Sequence, residues 1–330
     1  MGYYTRPSGS WVPAMPHQTK HSTSSPSGTG QFIIGAGCAI AAVAIWAGWL
    51  VTMRLGVTTR LSAPDLTALR FAIAGPLLLP IVMRRGLAIE RLGWPGLAAL
   101  VVGAGAPVAL VIGLGLRFAP VAHAGALYQG VVPIAVTCLA AIILKERIGA
   151  IRKIGLFLVL GGGSMIGGLD ISSLGGRQSI GHLLFLSAAC MTACYTVAIR
   201  RARIDGLHAA AIAAVVSLFL YLPVYLAFFE NGLFNVPLAD LAFQALYQGV
   251  LTAAISLALY GRAIHLLGAS NAAAFVALGP IMAALMALPA LGEWPSNIAW
   301  GAILMIATGV YLASSAPLPA WRRRLSVQGP

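Results

Sequence analysis

Residues 125–148 read GALYQGVVPIAVTCLAAIILKERI, and residues 268–294 read GASNAAAFVALGPIMAALMALPALGEW. Each is an apolar run with a central proline and a terminal glutamate, and the interval is the same: Pro133 to Glu146, Pro280 to Glu293. An offset of 147 residues superimposes them and sets Ala126 on Ala273, Ile134 on Ile281 and Leu144 on Leu291. Beyond these stretches the offset brings Gly162 onto Gly309 and Pro76 onto Pro223. Alanine and leucine coincide easily in apolar sequence. A proline and a carboxylate at one interval do not, and they mark an internal duplication.

Between two polar ends, the rest of the chain is material of the same kind. Of 330 residues 59% are hydrophobic and 9% charged, against about 25% charged in an average soluble protein. Too few charges remain to coat a water-facing surface, whereas a lipid-facing one needs no coat. Spans are predicted at about 32–53, 64–84, 95–116, 121–144, 151–168, 179–199, 207–229, 241–266, 270–292 and 297–316. Their continuous apolarity excludes alternating barrel strands. The fold class is therefore an all-α membrane protein: ten transmembrane helices as two inverted five-helix repeats. An odd number of helices per repeat inserts the second repeat upside down, an architecture of secondary transporters.

Charge gives the orientation. With the N-terminus inside, 16 of the 21 Lys and Arg fall on the inner side; Arg54, Arg60, Arg117 and Arg177 fall outside and Arg70 within a span. This is the bias of the positive-inside rule. The net charge of +13 builds no continuous basic face, so nucleic acid is not an expected partner. Residues 1–31 are expected to be a disordered cytoplasmic tail, 32–171 and 178–317 the two repeats, and 318–330 a basic cytoplasmic tail carrying Arg322, Arg323 and Arg324. The expected location is a bacterial inner membrane, multi-pass, with both termini cytoplasmic. Cys38, Cys138, Cys190 and Cys194 all lie in apolar runs without a metal set and read as helix packing.

The sequence resembles the drug/metabolite transporter superfamily, in its EamA-type ten-helix members. The resemblance rests on AIWAGWL (44–50), LTALRFAIAG (66–75) and the two stretches quoted first, and it covers about residues 32–316. It implies a central cavity lined by helices 1, 3, 4, 6, 8 and 9, and export or exchange of small metabolites such as amino acids. Two departures stand out: Ser217 occupies the position equivalent to Arg70, and the first span carries two close tryptophans.

Candidate substrate-binding residues follow from polar and aromatic groups inside spans. Gln244, Gln248, Thr252, Ser256 and Tyr260 recur every fourth residue of the eighth span. At 3.6 residues per turn they form a slowly drifting polar ridge. Such a ridge faces a cavity or bonds neighbouring helices, while Leu257, off the ridge, is expected to face lipid. Tyr128 and Gln129 of the fourth span, Asn271 and Phe275 of the ninth, Trp46 of the first and Tyr195 of the sixth complete the expected site. Trp49 reads as either a cavity wall or an interfacial anchor.

Arg70 is a candidate by its depth, with snorkelling or a structural carbonyl bond as its rival reading. Glu146 and Glu293 are expected to bond the free N–H groups that start the fifth and tenth helices, with proton binding as the alternative. His123 and His265 read as solvated helix-end histidines. Gly163 and Gly167 form a small-xxx-small pair, read as close helix packing at a homodimer seam. No Asp or Glu lies near the middle of a span and no P-loop is present, so neither a carboxylate relay nor direct ATP drive is expected. No metal or cofactor is expected; the expected partners are a small-molecule substrate and membrane lipid. The competing functions are a membrane-embedded enzyme on lipid or polyprenyl carriers, which needs a cluster of His, Asp or Glu at one face, and a non-transporting assembly protein.

Overall fold

The first helix, α1 (Thr29–Thr59), ends only three residues before α2 (Ala63–Arg85) begins. The turn is held by a reciprocal cap. Ser62 Oγ accepts from the Asp65 N–H at 3.3 Å, and the Asp65 carboxylate accepts from the Ser62 N–H at 2.8 Å. This computed structural model describes residues 29–145, 149–168, 176–229 and 232–314, and these hold helices and no strand. The order continues with α3 (Ile89–Phe118), α4 (Val121–Ile143), α5 (Ala150–Gly168), α6 (Arg177–Ala202), α7 (Gly206–Phe228), α8 (Leu238–Leu267), α9 (Asn271–Leu291) and α10 (Asn297–Ala313).

Eight of the ten are long and apolar enough to cross a membrane by length and composition; α5 and the shorter α10 complete the count. Large side chains such as Met83, Ile142, Phe157, Leu183, Phe219 and Leu304 stand more than half exposed on the outer faces. Lipid solvates such groups and water does not. The chain is a multi-pass membrane protein.

The offset of 147 residues is visible in the packing. A Cβ added at Gly309 in α10 would lie 2.6 Å from the carbonyl oxygen of Gly155 in α5. One added at Gly162 in α5 would lie 2.8 Å from the oxygen of Ala302 in α10. These are one contact made twice, because the offset carries 155 onto 302 and 162 onto 309. Small residues let the two backbones approach. Within the chain the close approach is made at Gly155 and Gly162, while a Cβ added at Gly163 would meet only Leu127, at 3.7 Å. Lys145 and Gly292, also partners, both turn the chain in the left-handed region, at φ 56° and 64°.

The irregular segments repeat as well. α3 breaks at Gly105, whose partner Thr252 lies in a π-helical stretch of α8, Leu246–Ile255. α4 opens with a π turn, Gly125–Gln129, whose partner positions in α9 run into a 3₁₀ turn, Val276–Leu278. Non-helical backbone at membrane depth is tolerated where it is buried in protein or lines a cavity.

Some expectations meet the structure differently. α1 already begins at Thr29, inside the stretch assigned to the tail. Residues 1–28, the C-terminal tail and Glu146 lie outside the described residues. Cys138, Cys190 and Cys194 are exposed rather than packed between helices.

Candidate functional site

The polar ridge of α8 is straighter than an α-helix allows. Four residues overshoot a full α turn, whereas in the π stretch they fall short of one, so the two drifts offset each other. Gln244, Gln248, Thr252 and Ser256 are therefore all buried in one line, from 0 to 6% exposed. Thr252 Oγ1 donates to the Tyr247 carbonyl five residues back at 2.7 Å, within the wider winding.

That line faces α1. Gln244 Nε2 donates to the Thr52 carbonyl at 2.9 Å. Trp49 Nε1 donates to Gln248 Oε1 at 2.6 Å, and Gln248 Nε2 donates to Gln244 Oε1 at 3.2 Å. Trp46 Nε1 donates to Ser256 Oγ at 3.0 Å, while the Ser256 hydroxyl donates to the Thr252 carbonyl at 2.6 Å. Most of the ridge is thus an interhelical hydrogen-bond ladder.

Beside this ladder lies a cavity of about 320 Å³. Its wall includes Trp46, Tyr128, Gln129, Tyr195 and Thr252 from the expected set. Gln248, Ser256, Tyr260, Asn271 and Phe275 do not line it. Gln248 and Ser256 are held by the tryptophans of α1, and the Tyr260 ring lies 5.0 Å from that of Trp46. The exposed Asn271 amide donates to the Leu267 carbonyl at 2.9 Å. Phe275 packs with Cys38 and Tyr260 around Ala39, Ala263 and Ala272. Leu257 lines the cavity instead of facing lipid, because the π stretch turns it inward.

The wall also draws on helices outside the expected six. α2 supplies Arg70, Phe71, Ala74 and Leu78, and α7 supplies Ala210 and Ala214. Arg70 carries the only formal charge among the lining residues. Its Cζ lies 4.8 Å from the Trp49 ring centroid and 5.8 Å from that of Phe71. Such faces attract a guanidinium but offer it no lone pair. Its Nη1 is buried without a hydrogen-bond partner, and so is Gln129 Oε1. Two such groups in one cavity call for an explanation, since buried polar atoms are normally satisfied. Arg70 neither snorkels out nor binds a carbonyl. Thr192, also in the wall, donates to the Gly103 carbonyl at 3.3 Å and to the Tyr128 hydroxyl at 3.4 Å.

One end of the bundle is tied across. Arg54 Nε of α1 pairs with Glu293 Oε1 at 2.8 Å, and Arg54 Nη1 donates to the Leu116 carbonyl at the end of α3. Glu293 Oε2 accepts from the N–H of Val121, the first residue of α4, at 2.8 Å. Glu293 was expected to cap α10, but Ser296 does that, accepting from the Ala299 N–H at 3.2 Å. The left-handed turn at Gly292 comes just before it. Nearby, His123 and His182 ring nitrogens meet at 2.9 Å, so His123 is not simply solvated. Toward the other end the cavity wall runs to Leu78 and Ala210, within about two turns of where α2 ends and α7 begins.

Sequence reasoning missed Thr192 and Leu257 as lining residues and left Trp49 and Arg70 open. The best available signal was Arg70 itself, the one charge deep in a span. No curated protein matches the chain. A solved crystal structure shares its fold with a TM-score of 0.59 and 21% identity, over 90% of this chain and 98% of that one. The model of the EamA-like transporter family matches twice, over residues 33–168 and 179–315, and the protein belongs to that family.

Proposed function

We propose that the protein is a secondary transporter that exports or exchanges small metabolites, such as amino acids, by alternating access about the cavity between its two repeats. The observation that carries this reading is the cavity's asymmetry. The Arg54–Glu293–Val121 tie crosses one end of the bundle, five residues beyond Trp49 along α1, and the cavity wall continues toward the other end. Rocking one inverted repeat against the other would release the tie and close the opposite end. In this reading the tied end is periplasmic, the protein lies in a bacterial inner membrane, and both termini are cytoplasmic, as the loop charges favour.

The test is flux. Purified protein in liposomes loaded with a labelled solute panel (amino acids, hydroxy acids, sugars, nucleosides) should exchange at least one class faster than empty liposomes. No flux for any of them, from protein shown to be folded, would remove the transporter reading and favour an assembly role.

A further inference from the structure

We infer that Arg70 and Gln129 form a two-point subsite for a small organic monoanion that also carries a neutral hydrogen-bond donor, such as a hydroxy acid with a hydrocarbon body. This rests on the transporter reading of the cavity and narrows its substrate class.

Two buried atoms of the cavity wall residues lack partners. Arg70 Nη1 is a buried donor without an acceptor, and Gln129 Oε1 is a buried acceptor without a donor. Both residues line the same cavity. A guanidinium out of water needs a counter-charge. None of the lining residues is acidic. Of the five described carboxylates, Asp65 accepts from Tyr225 and Ser62, Glu293 pairs with Arg54, Asp205 pairs with Arg85, and Glu90 and Asp240 stand in the first turns of α3 and α8; none lines the cavity. Among the described residues the cavity holds no counter-charge, so it arrives with the ligand. A carboxylate matches the planar fork of an arginine.

Gln129 then asks for the opposite chemistry, an O–H or N–H. Its amide is hemmed by α9, since a Cβ at Gly279 would lie 2.9 Å from Oε1. Beyond the neutral hydroxyls of Tyr128, Thr192, Tyr195 and Thr252, the remaining wall is largely apolar, with Val43, Ala74, Val108, Leu257 and Val276. It suits a hydrocarbon body and offers nothing to a second charge. An organic cation finds an arginine where it would need a carboxylate.

Intrinsic fluorescence reports binding, because Trp46 and Trp49 are in the wall. The probes are 3-methylbutanoate, 2-hydroxy-3-methylbutanoate, 3-methylbutanamide and 3-methylbutylamine, titrated into purified protein. The carboxylate should bind at least about tenfold more tightly than the amide, and the amine most weakly. The hydroxy acid should exceed the plain acid by about three- to tenfold. Arg70→Gln should bring carboxylate and amide within about twofold of each other, and Gln129→Leu should remove the advantage of the hydroxyl.

Equal binding of carboxylate and amide by the unaltered protein, or no response to any probe, overturns the subsite, and this holds even if the variants fail to fold. Flux assays keep the two readings apart. A carboxylate preference in binding without flux defeats transport and leaves the subsite. Flux without a charge preference does the reverse.

Discussion

At equivalent positions the two repeats do different work. Among the described residues, Arg70 in α2 and Gln129 in α4 hold the two buried side-chain polar atoms that lack a partner. Their partners by the 147-residue offset are Ser217 in α7 and Val276 in α9. Ser217 is 1% exposed and its hydroxyl accepts from the Ala106 N–H at 3.0 Å, at the break in α3. Val276 is apolar wall. The duplication thus supplied a symmetric frame, and divergence placed both of these buried, unpartnered atoms in the first repeat. Frame and site should respond to substitution differently.

The frame should give the largest effect. At the α5–α10 seam a side chain at Gly309 runs into backbone, since its Cβ would meet Gly155 oxygen and Val159 nitrogen at 2.6 and 2.9 Å, with the Val159 side chain at 2.7 Å besides. Gly309→Val is expected to cost about 3 kcal/mol or more, read as a loss of folded protein in the membrane. Gly162→Val, at the offset partner of Gly309, strikes the same seam from the first repeat, where its Cβ would meet the Ala302 oxygen at 2.8 Å, and should match it. A tolerant Gly162 beside an intolerant Gly309 would break the symmetry of the frame.

Next come Arg70 and Ser217, for which the signs should differ. Arg70→Gln removes a charge-assisted contact to ligand worth about 1.5–3 kcal/mol, so transport should fall roughly 10- to 100-fold. The protein itself should melt no lower, because an unpaired buried charge is gone. Ser217→Ala leaves the Ala106 N–H buried and unpaired, with a loss of about 1–3 kcal/mol in stability and little change in ligand affinity. Thermal unfolding and binding, measured on both variants, check this. Parallel losses of stability would make Arg70 a structural residue after all.

The tie at one end should give a smaller effect. It is partly exposed, Arg54 and Glu293 side chains being 18% and 20% accessible, so solvent screens it. Glu293→Gln also keeps an acceptor for the Val121 N–H. A change of about 1 kcal/mol is expected, enough to raise the population open at that end several-fold. Thiol labelling of a cysteine placed in the cavity, from that side and on a background lacking the four native cysteines, should quicken accordingly. Unchanged labelling would show that other contacts close that end.

The frame was legible before the structure because its signals are local and stiff. Pro133 with Pro280 and Gly162 with Gly309 mark backbone constraints that apolar neighbours cannot mimic. Which face of α8 meets the cavity was not legible. The four-residue period was read on an α-helix, and the π stretch Leu246–Ile255 changes the phase. In the structure Leu257 shares the wall with Ala253, one turn earlier, and Gln248 and Ser256 are bonded to α1. The partner of Glu293 was hidden for another reason: Val121 lies 172 residues away, joined only by the folded bundle.

Asn271 should give the smallest effect, and the reason separates it from Gln129. Both are amides in the α4 and α9 segments, and both were expected in the site. Gln129 is buried in the cavity wall with its oxygen unsatisfied. Asn271 is exposed, and its nitrogen already donates to the Leu267 carbonyl one turn earlier. Removing that bond exchanges it for water on both sides, so Asn271→Ala should stay within about 0.5 kcal/mol in stability. Transport should be unchanged, since no cavity atom is lost. Gln129→Leu in the same assays should leave stability level or higher while selecting against donor-bearing ligands, because an unpaired buried oxygen is replaced by hydrocarbon. If Asn271→Ala instead impairs transport in folded protein, the substrate path runs past the start of α9 as well as through the cavity.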